Sequence, residues 1–116
     1  MIIKEEISKR QSDFASLCKS HNVKYLYAFG SSVSEKFDPE KSDIDLLVEI
    51  ESNDPVDRGE KLLSLWDLFE EFFKRKVDLL TESSIRNPFL RKSIDSTKVL
   101  IYDGSGEKVF IWYIAG

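Results

Sequence analysis

The sequence has little of the chemistry that disulfides and metal clusters require. Cys18 is the only cysteine among 116 residues, and His21 is the only histidine. One cysteine cannot form an internal disulfide, which is typical of a protein from a reducing compartment. One cysteine and one histidine also cannot supply the ligands of a zinc cluster.

The chain also lacks a basic excess and a long apolar run. It has 17 lysines and arginines and 21 aspartates and glutamates, which give a net charge of -4. General nucleic-acid binding is excluded, because it needs a basic surface that releases counterions. The apolar run at residues 109–115 is far shorter than the roughly 20 residues of a membrane span. The acidic start, with Glu5 and Glu6, differs from a signal peptide. We therefore expect a cytoplasmic protein that does not bind membranes.

What the chain does have is enough apolar side chain for a core. Hydrophobic residues make up 41% of it, and its length suits a single domain over residues 1–116. Periodicity predicts helices over residues 3–20, 57–75 and 87–95, the second with Asp57 and Glu60 as a capping box. Strands are predicted over residues 23–29, 43–50, 76–81 and 98–102. This alternation indicates an α/β (α+β) fold of two layers, a mixed sheet flanked by helices.

Acidic residues stand at two places where a strand should carry aliphatic side chains. Asp43 and Asp45 are two residues apart at the start of a strand, so both carboxylates should leave the same face. Asp78 stands between aliphatic residues of the third strand, at a position where a central strand would prefer an aliphatic side chain. Carboxylates that share a partly buried site repel one another unless a cation compensates, and Mg²⁺ prefers such oxygen ligands. The alternative is that Asp-x-Asp is only a solvated strand start.

A second feature follows the first predicted strand, where Gly30 and Ser31 precede Ser32. Glycine lets the backbone approach a ligand closely, and amides and hydroxyls at a helix start can bind phosphate oxygens. Gly-Ser pairs are common in turns, so an isolated pair by itself favours an ordinary turn.

The combination of strand, Gly-Ser, loop, Ser-Asp-Ile-Asp-Leu-Leu-Val, long helix and Val-Asp-Leu-Leu resembles a known superfamily. It is similar to the nucleotidyltransferases that include the DNA polymerase beta palm, and more closely to the minimal nucleotidyltransferases, among them MntA-type antitoxins. The resemblance implies a palm-like fold in which Gly30 and Ser31 bind the nucleoside triphosphate. It also implies that Asp43 and Asp45 bind two Mg²⁺ ions, and that Asp78 completes the site as the third carboxylate.

The same resemblance implies a function. Minimal nucleotidyltransferases often occur with a helical HEPN protein as a toxin and antitoxin pair. We therefore expect a Mg²⁺-dependent enzyme that transfers AMP from ATP to a protein hydroxyl, a tyrosine of a HEPN toxin, and so acts as an antitoxin. The alternative is a non-catalytic binding module that neutralises a HEPN partner by direct contact. Assembly into a homo-oligomer stays open.

Two features depart from the pattern or stand outside it. The position after Gly-Ser is often basic in relatives, whereas here it is Ser32; Lys36 and Lys41 are the candidate substitutes. The apolar tail at residues 109–114 is either an added strand or a surface for another chain. We expect His21 to cap a helix, and the aromatic stripe that begins at Trp66 to belong to the core.

Overall fold

The computed structural model describes residues 2–33, 38, 42–106 and 108–109. Within these ranges the chain forms four helices and five strands. The helices are α1 (Ile2–Lys9), α2 (Gln11–Ser20), α3 (Pro55–Phe73) and α4 (Pro88–Thr97). The strands are β1 (Val23–Ala28), β2 (Ile44–Ile50), β3 (Val77–Leu80), β4 (Val99–Asp103) and β5 (Lys108–Val109). The helices α3 and α4 and the strands β1 to β4 lie within a few residues of their predicted positions, whereas the first predicted helix is divided in two.

The strands form one mixed sheet in the order β3-β2-β1-β4-β5. β2 and β3 run parallel, whereas the other neighbouring pairs are antiparallel. The expected α/β fold with a mixed sheet is therefore confirmed. β3 is an edge strand, which corrects the expectation that Asp78 lies on a central strand.

The main core lies between one face of the sheet and the first three helices. Its buried side chains include Ile7 of α1, Phe14 of α2, Phe69 of α3, Leu26 of β1 and Leu46 of β2. The aromatic stripe of α3 packs here, as expected, with the Phe14 and Phe69 rings stacked at 5.6 Å between centroids. No helix within the described ranges has both the length and the apolar character that crossing a bilayer requires.

The opposite face of the sheet is covered in part by α4. A smaller buried cluster joins Ile94 of α4 to Leu47 of β2, Phe29 and Ile85, with Tyr27 of β1 packed against it. Residues alternate between the two faces along β2, so Asp45 shares this second face with Leu47. The candidate acids therefore stand on the face opposite the main core.

The single helix predicted over residues 3–20 is wrong, because the helix is divided at Arg10. This residue leaves the helical region, with φ -139° and ψ 49°. Its guanidinium lies over the Phe72 ring, 3.9 Å from the centroid, and donates a hydrogen bond to the Phe72 carbonyl oxygen. The residue at the break therefore contacts a residue 62 positions away, and periodicity carries no information about such a contact.

The predicted capping box of the long helix is also wrong. α3 begins two residues before Asp57, and Asp54 is its N-cap, accepting a hydrogen bond from the Val56 N–H at 3.0 Å. Pro55 occupies the first turn, where its missing N–H costs nothing. Asp57 instead pairs with Lys61 at 2.6 Å. His21 is the C-cap of α2, as expected, and its Nδ1 lies 2.8 Å from the Leu17 carbonyl oxygen.

Two of the sequence interpretations lie partly or wholly outside the described residues. Lys36 and Lys41, the candidate substitutes for a basic residue after Gly-Ser, are both outside. Of the apolar tail, only Val109 is described; it is buried and pairs with Tyr102 of β4. Val109 is therefore part of an added strand, and the tail from residue 110 onward stays a prediction.

Candidate functional site

Asp45 and Asp78 meet because β2 and β3 run parallel in a fixed register. The ladder pairs Asp45 directly with Asp78 and continues one step on with Leu46 and Leu79. Residues paired in this way point to the same face of a sheet. Asp78 is exposed and Asp45 half-buried. Two carboxylates separated by 33 positions of sequence thus stand side by side at one edge of the sheet.

Asp43 lies just outside the strand. The expected strand over residues 43–50 begins at Ile44, whose N–H donates to the Lys76 carbonyl oxygen at 3.0 Å. Asp43 is half-buried at the mouth of β2, and its charge acts on Asp45. The structure therefore brings the three predicted acids to one end of the sheet, although only two of them belong to strands.

The electrostatics of Asp45 reflect this crowding. Burial, the charge of Asp78 and then the charge of Asp43 together raise the pKa of Asp45 to about 6. Each cause penalises the ionised form of Asp45. A divalent cation bound beside Asp45 would remove that penalty, as would protonation.

Gly30 turns the chain back towards Asp45. β1 ends at Ala28, one residue earlier than predicted, and the Phe29 N–H donates to the Asp45 carbonyl oxygen at 3.1 Å. Gly30 then adopts φ +63° at the start of a 3-10 turn, Gly30–Val33. A Cβ at this position would lie 3.1 Å from Asp45 Oδ2. Glycine is therefore required both by its backbone angle and by the neighbouring carboxylate.

Ser32 has a role that the sequence analysis missed. Its side chain is fully buried, and its hydroxyl accepts a hydrogen bond from the Asp45 N–H at 2.7 Å. In the sequence, Ser32 attracted notice as a hydroxyl of the candidate phosphate turn and as the absence of a basic residue. The structure shows that this serine joins the Gly30 turn to the strand that carries Asp45.

Thr97 is a second residue that the sequence analysis missed. Its Oγ1 accepts a hydrogen bond from the Gly30 N–H at 3.0 Å and donates one to the Ser93 carbonyl oxygen at 2.7 Å. The last residue of α4 thus holds the Gly30 turn from the other side. No signal in the sequence connects positions 67 residues apart.

The donor set suits Mg²⁺ without forming a ready cage. Within the part of the chain that the structure describes, no group of three or more His, Cys, Asp or Glu side chains could hold a metal ion by itself. Magnesium in phosphate chemistry uses one or two carboxylates and completes its octahedron with waters and substrate oxygens. Asp45 with one neighbouring acid fits this requirement, and the mutual repulsion of the acids favours a cation.

A surface groove adjoins the site at Asp78. A groove of about 470 Å³ runs from Leu63 and Trp66 of α3 to Asp78. A larger groove of about 520 Å³ lies at the opposite end of β2, where Ile50, Arg58 and Thr81 contribute to its lining. We identify the location at Asp78 as the candidate site because of the chemistry of its carboxylates. The sizes of the two grooves do not decide the choice.

Known sequences match most of this chain. A family model described as "Nucleotidyltransferase domain" matches residues 4–101. The chain is 34% identical over 99 residues to "Putative protein adenylyltransferase MJ1379" of Methanocaldococcus jannaschii, a match that covers 85% of this chain and 94% of that protein. It is 33% identical, with the same coverage, to "Putative protein adenylyltransferase MJ0126" of the same organism.

Solved structures share the fold. One is described as the structure of a "putative minimal nucleotidyltransferase"; it has a TM-score of 0.58 and 28% identity, and the match covers 83% of this chain and 93% of that one. A second belongs to the toxin-antitoxin pair MntA-HpeT, with a TM-score of 0.57, 17% identity and coverage of 84% and 76%. A third is a toxin-antitoxin structure with AMP-PNP, with a TM-score of 0.51, 19% identity and coverage of 91% and 84%.

Proposed function

Because the chain belongs to the nucleotidyltransferase domain family, we propose that it transfers the adenylyl group of ATP to a hydroxyl of a protein partner. The single observation that carries this proposal is the side-by-side pairing of Asp45 with Asp78 next to the Gly30 turn. The relatives named protein adenylyltransferases support the choice of donor and of acceptor class.

In the proposed site, the Gly30 turn and Ser31 hold the triphosphate, and Asp43, Asp45 and Asp78 hold Mg²⁺. Bound magnesium would supply positive charge at the α-phosphate and at the departing pyrophosphate. Carboxylates that repel one another in the free protein gain from such a cation. The protein's own contribution is a fixed geometry, in which Ser32 and Thr97 brace the turn.

The reaction needs no covalent enzyme intermediate. The acceptor oxygen attacks the α-phosphorus and forms a new O–P bond, while the bond from that phosphorus to the bridging oxygen breaks. Pyrophosphate leaves with the electron pair of the broken bond. Asp78, exposed at the edge of the sheet, accepts the proton of the acceptor hydroxyl as general base.

For the partner, we propose a helical HEPN toxin whose tyrosine hydroxyl is the acceptor, so that the chain acts as an antitoxin. This rests on the resemblance of the sequence to minimal nucleotidyltransferases. One protein of similar fold is itself half of a toxin-antitoxin pair. An exposed proton acceptor at Asp78, beside an open groove, suits an acceptor carried by a separate protein.

The test uses the whole chain, a HEPN partner, Mg²⁺ and ATP labelled at the α-phosphorus. We expect label and the mass of one AMP on a tyrosine of the partner, and no label when ATP is labelled at the γ-phosphorus. Asp45→Asn should abolish transfer. Glu49→Gln is the matched control, because Glu49 lies on the same strand and face, exposed, four residues further along.

The contact-only alternative predicts a different result. A binding module would neutralise the toxin in both the wild type and Asp45→Asn, without label on the partner. Transfer from the γ-labelled nucleotide would instead identify a kinase and overturn the proposal. Equal transfer by the wild type and Asp45→Asn would place the chemistry elsewhere.

A further inference from the structure

The strand order places a lysine across the Gly30 turn from the acids. Across the sheet, β3 carries Asp78, β2 carries Asp45, β1 leads into Gly30, and β4 begins directly after Lys98. A phosphate chain whose α-phosphorus lies at Asp45 and which crosses the turn therefore extends towards Lys98.

Lys98 is held close to the turn by its neighbour. Thr97 accepts the Gly30 N–H at 3.0 Å, and Lys98 is the next residue, the C-cap of α4. The Lys98 N–H donates to the Ile94 carbonyl oxygen at 2.8 Å, which fixes its backbone on the last turn of the helix. The position of this lysine relative to Gly30 thus depends on defined hydrogen bonds.

The ammonium of Lys98 lies on the same face of the sheet as Asp45. Its Nζ is 5.0 Å from the centroid of the Tyr27 ring. Tyr27 is paired with Leu47 of β2, and both belong to the cluster on the second face. Asp45 is two residues before Leu47 and shares that face. The strand order and the shared face of the sheet therefore agree on where the Lys98 ammonium lies relative to the Gly30 turn.

The Gly30 turn itself has no positively charged side chain that could bind phosphate. Residues 30–33 are Gly-Ser-Ser-Val and carry no charged side chain. Lys98 forms a partly exposed ion pair with Asp95 at 3.6 Å, a type of pair that contributes little and exchanges easily. An ammonium on a flexible stem is well suited to bind phosphate as a point charge.

We propose that Lys98 binds the β- and γ-phosphates of the nucleotide, an inference that rests on the function proposed above. The lysine leaves Asp95 and contacts the far end of the triphosphate, opposite the acids. It thereby selects nucleoside triphosphates over monophosphates. The basic charge that is missing after Gly-Ser is supplied by a residue that the tertiary structure brings to the turn.

The experiment measures binding of AMP-PNP with Mg²⁺ and binding of AMP by calorimetry, using the full chain. Lys98→Gln should weaken AMP-PNP binding at least about tenfold and leave AMP binding within about twofold. Lys98→Arg should restore most of the affinity for AMP-PNP. Lys92→Gln is the matched control, because this exposed lysine of α4 loses the same charge away from the turn. Thermal unfolding of each variant confirms its fold.

The possible outcomes distinguish a failure of the proposed role of Lys98 from a failure of the proposed function. Wild-type affinity of Lys98→Gln for AMP-PNP overturns the role of Lys98 and leaves nucleotidyl transfer intact. Equal losses for AMP-PNP and AMP also overturn it, as do equal losses in the Lys98 and Lys92 variants. If the wild type binds neither nucleotide with Mg²⁺, the proposed function fails as well. Loss of triphosphate binding confined to Lys98→Gln and recovered in Lys98→Arg supports the inference.

Discussion

Asp45 and Asp78 are direct partners in the parallel ladder between β2 and β3. The charge of Asp78 is also the second-largest cause, after burial, of the raised pKa of Asp45. Because this pairing helps to raise the pKa of Asp45, it disfavours the ionised carboxylate in the fold, and we expect the free protein to be less stable than one with a neutral side chain at position 45. This relationship has a measurable consequence for stability.

We predict that the stability of the metal-free protein falls with rising pH because of Asp45. The pKa of this carboxyl is 3.8 without the fold and about 6 in it, so the folded state binds the proton more tightly. Its favourable contribution is fully present below pH 3.8 and is lost as the pH rises through about 6. Because Asp45 is only half-buried, the loss should be about 1 kcal/mol.

Urea unfolding in a chelator, for the wild type and Asp45→Asn, measures this loss. The free energy of unfolding of the wild type should fall relative to the variant between about pH 4 and pH 7. Asp78→Asn should reduce the fall, because it removes one of the two repelling charges. Parallel profiles for the wild type and Asp45→Asn would contradict the prediction.

Gly30→Ala should impair the site, whereas Gly59→Ala should not. At Gly30 a Cβ meets Asp45 Oδ2 at 3.1 Å on a backbone with φ +63°, so the expected cost is about 1–2 kcal/mol. The displaced carboxylate should lower transfer at least about tenfold. Gly59 lies in α3 with nothing within 4 Å of an added Cβ, so alanine there should stabilise by about 0.5–1 kcal/mol.

Urea unfolding and initial rates of adenylyl transfer distinguish the two glycines. A Gly30→Ala variant with normal activity would show that the turn tolerates movement of Asp45. A similar loss of activity in Gly59→Ala would show that contact with Asp45 is not the cause of the loss in Gly30→Ala.

Thr97→Val should lower activity more than Thr97→Ser. Valine keeps the shape but loses the hydroxyl that accepts the Gly30 N–H and donates to the Ser93 carbonyl. The expected loss of stability is about 1 kcal/mol. Thr97 acts on the reaction only through Gly30, so we expect a lower kcat/KM for ATP in the valine variant and recovery in the serine variant. Equal rates of transfer in Thr97→Val and Thr97→Ser would show that the Thr97 hydroxyl does not contribute to the site.

Arg10→Ala should destabilise the protein by about 1–2 kcal/mol. It removes both the stacking on Phe72 and the hydrogen bond to the Phe72 carbonyl oxygen. Lys9→Ala is the matched control, because the Lys9 side chain is 70% exposed and should change stability by less than about 0.5 kcal/mol. Thermal or urea unfolding measures both. If the two variants were equally stable, the break between α1 and α2 would need another cause.

Much of the fold was predictable because helices and strands have local causes. Alternation and β-branched runs located β1 to β4 within a residue or two, and spacing located α3 and α4. The start of α3 was misplaced because Asp54 and Asp57 are both acceptable caps, and only the course of the backbone decides between them. The break at Arg10 was not predictable, since the contact that accompanies it joins Arg10 to a residue 62 positions away.

The sequence by itself determined which chemical groups are available: Asp43, Asp45 and Asp78 among its aspartates, the Gly30-Ser31 pair, and almost no sulfur or imidazole. The tertiary structure alone decided which of these groups meet. Strand order and register put Asp78 beside Asp45 on an edge strand, made Ser32 and Thr97 braces of the turn, and brought Lys98 to its far side. The physical reason is that periodicity records only local geometry, whereas contacts between distant positions arise when the sheet and helices pack together.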